Sequence, residues 1–370
     1  MSFNTLFNSL MMHQQALTHL YAAVSSTRVA LPTIKKSVGE QAYTQVADSQ
    51  GTLVDVGEPF AKGGEGCIYP VNQRPNLVVK IYHPERLQAG RGELQAKIEA
   101  AIELYSQRNV LHDLPVAWPL MSVFDSTGNW VGYVMRKARG LAINVFRSPP
   151  LVRKYFPNLD RLTLVRSLEK LVRNVQVLHQ QGIFLGDINL DNFILDTERE
   201  EFWMIDCDSF QFSCQGKQYR CPVGQDSMLR PEHQGRQLKN VVRTVHSDTF
   251  SLTVLIFMLL MSGRHPFESI GKVASPAKNI RNGHFPYGKK GVRPGTEGAI
   301  PRGPWYTLWS NLPYALKSVF ITTFGEGLIS SELRMPLTQV AAVLKDYAYG
   351  IAKTHHTNEL WPKQAKQSKK

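Results

Sequence analysis

The stretch GIFLGDINLDNFIL, residues 182–195, sets Asp187 and, five positions on, Asn192 between two apolar runs. A carboxylate and an amide at that spacing suit a proton acceptor beside a cation ligand. They suit equally two polar residues of an ordinary loop, because Asp and Asn favour turns by bonding to their own backbone. The rest of the chain decides between the two readings.

Upstream, residues 54–83 alternate short β-rich runs with a glycine cluster: VDVGEPF, then AKGGEGCIYPV, then LVVKIYH. The pattern predicts strand, turn, strand, turn, strand. Gly63, Gly64 and Gly66 fall in the first turn, where glycine lets backbone N–H groups approach phosphate oxygens; by itself a glycine hairpin is only a tight turn. Lys80 stands on the next strand, where an ammonium can reach phosphates beneath that loop. Residues 91–107 repeat Leu94, Ile98, Ala101, Ile102 and Tyr105 with a helical period. Residues 120–137 read as a hairpin turning at STGN. Beyond about residue 140 the character changes: RLTLVRSLEKLVRNVQVLHQQG, residues 161–182, is a long amphipathic helix with Gly182 as its C-terminal cap, and a mostly helical half follows. The expected fold class is α+β, two-lobed, with a cleft between a β-rich part and a helical part.

Bulk properties exclude several classes. With 370 residues and 43% hydrophobic content the chain can bury one large core or two moderate ones, which argues against disorder. Four cysteines, Cys67, Cys207, Cys214 and Cys221, have neither metal-ligand spacing nor the density of a disulfide framework, so a reduced, cytoplasmic protein is expected. The first thirty residues resemble an amphipathic helix rather than a secretion signal or a membrane span, and the apolar run Leu255–Met261 is too short to cross a bilayer. His179, His233 and His246 are scattered and show no paired metal-ligand spacing.

The net charge of +13 invites a nucleic-acid or anionic-membrane partner. Residues 271–302 carry seven basic and one acidic residue, and residues 351–370 carry five and one. Both segments are rich in Gly, Pro or Gln and lack interleaved aromatic platforms, so a solvated loop and tail are the expectation.

Glycine loop, strand lysine, GDINLDN and then IDCD (residues 205–208) occur in the order and at the spacing of the eukaryotic-like (Hanks-type) protein kinase superfamily, which the chain resembles over roughly residues 50–348. LRPEH, HSDTFSL, GRHPF and ELRMP extend the resemblance downstream, and IDCDSFQ, IFMLLMSGRHPF and LPYALKSVFITTFGEG look closest to the bacterial YegI-like branch. The resemblance implies a protein-kinase-like fold. It divides the chain into an N-terminal helical extension (1–50), an N-lobe (51–139), a C-lobe (140–350) and a basic tail (351–370). It implies an ATP- and Mg2+-dependent enzyme that phosphorylates Ser or Thr of a protein substrate. In it Asp187 accepts the hydroxyl proton, Asn192 and Asp206 hold magnesium, and Gly63, Gly64, Gly66 and Lys80 bind phosphates. Glu99, nineteen residues after Lys80 and the nearest of Glu93, Glu99 and Glu103 to the apolar stripe, would pair with the lysine. Met135 would stand near the gatekeeper position, with Arg136, Lys137 and Ala138 presenting backbone to adenine, and Arg334 would pair with Glu232 in a buried ion pair.

Four elements depart from the family pattern. Ala61 replaces the first loop glycine, Gly186 the arginine that senses a phosphorylated activation segment, and Asn189 a lysine that contacts the γ-phosphate. Asp206-Cys207-Asp208 replaces D-F-G, so that Asp208 would meet a glycine's backbone conformation at a cost, or compete for metal. Cys67 and Cys207 would both face the nucleotide cleft. The altered LGD and DCD elements leave an alternative reading, a pseudokinase that holds ATP as a scaffold.

Overall fold

A computed structural model describes residues 43–271, 275–288, 298–300 and 304–362. The N-terminal extension as far as residue 42, three stretches of the basic segment (272–274, 289–297 and 301–303) and the tail from 363 lie outside the described residues. The described residues form two compact units: those from 43 to Ala138 with Ile205–Asp208 and Cys214–Tyr219, and the remaining described residues.

The first unit is built on an antiparallel sheet. Its strands are β1 (Gln45–Ala47), β2 (Leu53–Asp55), β3 (Ala61–Lys62), β4 (Gly66–Pro70), β5 (Leu77–Tyr82), β6 (Pro119–Phe124) and β7 (Trp130–Arg136), in the spatial order β2-β1-β6-β7-β5-β4-β3. Central β5, LVVKIY, is buried at every position, as expected of a β-branched run covered on both faces. The β6–β7 turn forms at STGN because Asp125 Oδ1 accepts from the backbone N–H groups of Thr127 and Asn129 at 2.9 and 3.0 Å. Helix α1 (Pro84–Gln107) opens with proline and leaves helical geometry at Gly90. Beyond that break Leu94, Ile98, Ala101, Leu104 and Tyr105 are buried, and α1 packs on β6 and β7.

The second unit begins with a three-stranded sheet, β8 (Leu141–Ala142), β9 (Phe193–Asp196) and β10 (Glu201–Met204), and continues in helices. These are α2 (Pro149–Tyr155), α3 (Arg161–Gln180), α4 (Val245–Leu260), α5 (Pro276–Arg281), α6 (Pro304–Asn311), α7 (Tyr314–Phe324), α8 (Glu326–Ile329) and α9 (Leu337–Ala352). Asp160 caps α3, its side chain accepting from Thr163 N at 2.7 Å, and the apolar stripe Leu164, Leu168, Leu171, Val175 and Leu178 is buried. Helix α4 is buried from Ser247 to Leu260, so the apolar run at 255–261 belongs to a core helix and its turn. No helix among the described residues is long and apolar enough to cross a membrane. Phe257 of α4 meets Phe285, Tyr287, Trp309, Phe320 and Phe324 in an aromatic core. Mixed secondary structure, an antiparallel N-terminal sheet and a helical C-terminal part make this a protein-kinase-like fold.

Candidate functional site

In the first unit, Lys80 lies opposite Ile68 on β4 and Tyr133 on β7 and is buried. A buried ammonium needs an anion. Lys80 Nζ bonds Asp206 Oδ1 at 3.1 Å and Asp208 Oδ2 at 2.8 Å. Burial alone would lower the lysine's pKa; the charge of Asp208, then that of Asp206, outweighs it and raises the value, so the amine stays protonated. Tyr82 OH also donates to Asp208 Oδ2, at 2.5 Å. Burial would raise the Asp208 pKa, but Lys80, Tyr82 and the charge of Lys97 on α1 hold it below the usual carboxylate range.

Two expectations, the Glu99 partner and the strain at Asp208, are corrected here. Glu99 does not carry the lysine: it lies exposed on α1 and accepts from Gln95 Nε2 at 2.8 Å, because Lys80 is already matched from within the DCD tripeptide. Positive φ falls on Asp206 (56°) rather than on Asp208, which sits in a short 3-10 turn, so the strained residue is the half-exposed acid. Asp208, with 3% of its side chain accessible, is engaged by Lys80 and Tyr82 and is not placed to compete for metal. Cys207 is likewise fully buried, whereas Cys67 is partly exposed.

The glycine loop divides into two roles. A Cβ on Gly66 would lie 2.3 Å from Ile81 O and 2.9 Å from Tyr82 Cα, so that glycine serves the contact between β4 and β5. An added Cβ meets nothing within 4 Å at Gly64 and only Gly66 O at 3.7 Å at Gly63, so internal packing does not require glycine at either. Gly63 already donates its N–H to Gly66 O at 2.9 Å, so of the two it is the bare backbone at Gly64 that a phosphate can approach. Met135 is buried on β7. Lys137 gives its amide N–H to Asn76 O at 2.8 Å and its side chain covers Phe60, so that amide is not a donor to adenine.

In the second unit, Asp187 is half-buried, with Oδ1 accepting from Asn189 Nδ2 at 3.0 Å and Oδ2 from Asn192 Nδ2 at 3.2 Å. Asn192 Nδ2 also donates to Asp187 O at 2.9 Å, so its amide nitrogen faces the aspartate and its oxygen is the atom it could offer a cation. Asn189, buried, uses its own Oδ1 for Asp191 N at 2.8 Å; in the γ-phosphate lysine's position it instead orients Asp187.

Asp248, whose role as a loop clamp the sequence reading missed, holds the backbone just before Asp187. Its Oδ2 accepts from Leu185 N at 2.7 Å and its Oδ1 from Gly186 N at 3.1 Å, with His179 Nε2 3.1 Å from Oδ2. The available signal was an aspartate in the first turn of an otherwise strongly apolar helix, HSDTFSLTVLIFMLL. Gly186 has φ +73°, and a Cβ there would lie 2.7 Å from both Cβ and Sγ of Cys221. The missing arginine is therefore excluded by the backbone itself. Arg334 Nη2 bonds both oxygens of Glu232, at 2.9 and 3.2 Å, as the sequence suggested; Arg334 is buried, but Glu232 is 38% exposed, so the pair is only half enclosed.

The residues fit a nucleotide with magnesium. In the first unit Asp206 offers an exposed carboxylate, and in the second Asn192 offers an amide oxygen; each is a hard donor of the kind Mg2+ takes beside phosphates and water. Among the described residues no group of three or more His, Cys, Asp or Glu forms a cation cage.

A scan against protein-family models finds no match. The chain is 28% identical over 309 residues to Protein kinase YegI of Escherichia coli O157:H7, covering 79% of this chain. To Protein kinase YegI of Escherichia coli K12 it is 28% identical over 315 residues, 81% of this chain. It spans 45% of the length of each of these two relatives. A shorter match, 28% over 116 residues, joins 29% of this chain to 7% of a probable serine/threonine-protein kinase, irlD, of Dictyostelium discoideum.

Proposed function

We propose that this chain, which belongs to the protein-kinase-like family on the branch of the bacterial YegI proteins, transfers the γ-phosphoryl group of ATP to Ser or Thr hydroxyls of a protein. The observation that carries the reading is the double grip of Asn189 and Asn192 on the Asp187 carboxylate, in a loop whose backbone is clamped by Asp248. Such an arrangement fixes a proton acceptor in position before substrate arrives.

In the proposed step the substrate hydroxyl oxygen forms a bond to the γ-phosphorus as the bond from that phosphorus to the β,γ-bridging oxygen breaks. The electron pair leaves with ADP and the hydroxyl proton goes to Asp187 Oδ. Lys80 orients the nucleotide's phosphates under the loop at Gly63 and Gly64. Asp206 and Asn192 would hold magnesium, which would supply charge neutralisation on the phosphates. Gly186 in the arginine position supports activity that does not wait for activation-segment phosphorylation. The name of the Dictyostelium relative supports Ser and Thr as acceptors.

Mass spectrometry of the purified chain after incubation with ATP and Mg2+, beside Asp187→Ala, tests this. Phosphoserine or phosphothreonine in the parent and none in the variant is expected. An unmodified parent that also leaves generic protein substrates unmodified, or equal phosphorylation of both chains, overturns it.

A further inference from the structure

We propose that Asp208 is the positioning residue for Lys80, taking over the task that a helix glutamate performs elsewhere in this fold, so that placement of the lysine does not depend on α1. The inference deepens the phosphotransfer reading and rests on it for its functional consequence.

Lys80 and Tyr82 are two residues apart on β5, and side chains at that spacing share one face of a strand. Both converge on the same atom, Asp208 Oδ2, at 2.8 and 2.5 Å. The tyrosine ring is itself fixed, lying against Trp130 and Tyr133 of β7 with ring centroids 5.5 and 6.1 Å away. The carboxylate is thus held at a definite place, and the lysine with it. Asp206 also reaches Lys80, but half of its side chain is accessible, so it can turn to another ligand while Asp208 keeps its grip.

Charge on α1 supports the same assignment. Of the four glutamates on that helix, Glu85, Glu93 and Glu99 are exposed, with Glu99 bonded to Gln95, and Glu103 accepts from Gln107 and Gln215. The buried charged residue of α1 is instead Lys97, whose positive charge acts on Asp208. The helix therefore contributes a cation where a glutamate would be expected, and the acid comes from the tripeptide that also carries Asp206. One short segment sets both the lysine and the exposed carboxylate. Displacing α1 leaves the Lys80–Asp208 bond in place, because neither partner belongs to that helix.

The test uses the full chain with Asp208→Asn, Tyr82→Phe and Glu99→Gln. The first readout needs no nucleotide: protection of Lys80 from an amine-acylating reagent at one fixed pH, followed by mass spectrometry with exposed Lys170 as internal reference. Labelling of Lys80 rises at least about tenfold in Asp208→Asn, since a hydrogen bond between charged groups holds a side chain in place by about that factor or more and its loss lets the amine reach the reagent. It rises by a smaller factor in Tyr82→Phe and stays at the parent level in Glu99→Gln. The second readout is phosphotransfer: kcat/KM for ATP falls at least about tenfold in Asp208→Asn and is unchanged in Glu99→Gln. Parent-like protection in Asp208→Asn, or a loss in Glu99→Gln as large as in Asp208→Asn, overturns the proposal. Should Asp208→Asn not fold, parent-like protection in Tyr82→Phe overturns it as well. A parent chain that transfers no phosphate would sink the kinase reading, whereas the labelling comparison would still judge the role of Asp208.

Discussion

Replacing Gly186 by alanine should destabilise the second unit by about 2–5 kcal/mol, although alanine adds only one methyl group. Two costs combine. At φ +73° a residue with a Cβ gives up about 1–2 kcal/mol relative to glycine. The new Cβ would also lie 2.7 Å from Cys221 Cβ and Sγ and 3.2 Å from Arg243 Cγ, and both neighbours are buried and cannot yield into solvent, so overpacking adds about 1–3 kcal/mol. With a urea slope of about 2 kcal/mol per molar, the unfolding midpoint falls by about 1–2.5 M. Gly64→Ala is the control: an added Cβ there meets nothing within 4 Å, and its midpoint should stay within about 0.3 M of the parent. Equal midpoints for Gly186→Ala and Gly64→Ala would refute the reasoning. The consequence reaches function, because Gly186→Arg cannot install phosphate sensing in a loop whose backbone rejects any side chain.

The half-enclosed ion pair should respond unequally to its two partners. Arg334→Met strands the carbonyls of Gly327 and His246 along with Glu232 and costs about 3–5 kcal/mol, whereas Glu232→Gln, at an accessible carboxylate, costs about 1 kcal/mol in the same denaturation assay. Burial lowers the His265 pKa to about 4, and the neutral ring accepts from Phe267 N at Nδ1 while Nε2–H donates to Ser227 O. Above pH 6.5 the ring is neutral folded and unfolded; as pH falls from about 6.5 to 4 only the unfolded chain takes the proton, and up to about 3 kcal/mol of stability is lost. His265→Gln should flatten that acid limb in stability measured against pH. Burial raises the Cys207 thiol well above its ordinary value, so iodoacetamide should label partly exposed Cys67 and spare Cys207 in native protein, as mass spectrometry would show. Comparable labelling of both would contradict the buried position.

Local features were readable in the sequence because they depend on neighbours along the chain. The period of α3 and its end before Gly182, the Asp125 turn and the strands around Gly63 and Gly64 are of this kind. The Arg334–Glu232 contact was readable only by resemblance, since 102 residues separate its partners. The partner of Lys80 was misread for a definite reason. On α1 the buried stripe runs through Leu94, Ile98, Ala101 and Tyr105; Lys97 borders it and is buried, whereas Glu99 lies well round the helix and is exposed, and a helical wheel that compares the glutamates only with one another selects an acid whether or not any acid faces Lys80. The true counter-ion, Asp208, lies 128 residues from Lys80, in a position that the family pattern reserves for glycine. Asp248 escaped notice similarly: two backbone N–H groups more than sixty residues away are its partners, and no side-chain pattern announces them.

The central claim is that Asp187 accepts the proton while the nucleotide is held by other residues. Transfer of radiolabel from γ-labelled ATP and calorimetric binding of ATP with Mg2+, measured together on the parent chain and on Asp187→Ala, test it most directly. The account predicts transfer by the parent, loss of transfer by at least about a thousandfold in the variant, and nucleotide affinity within about threefold in both, as befits removal of an interaction made only in the transition state. Undiminished transfer by Asp187→Ala, or a parent chain that binds ATP and transfers nothing, would contradict it.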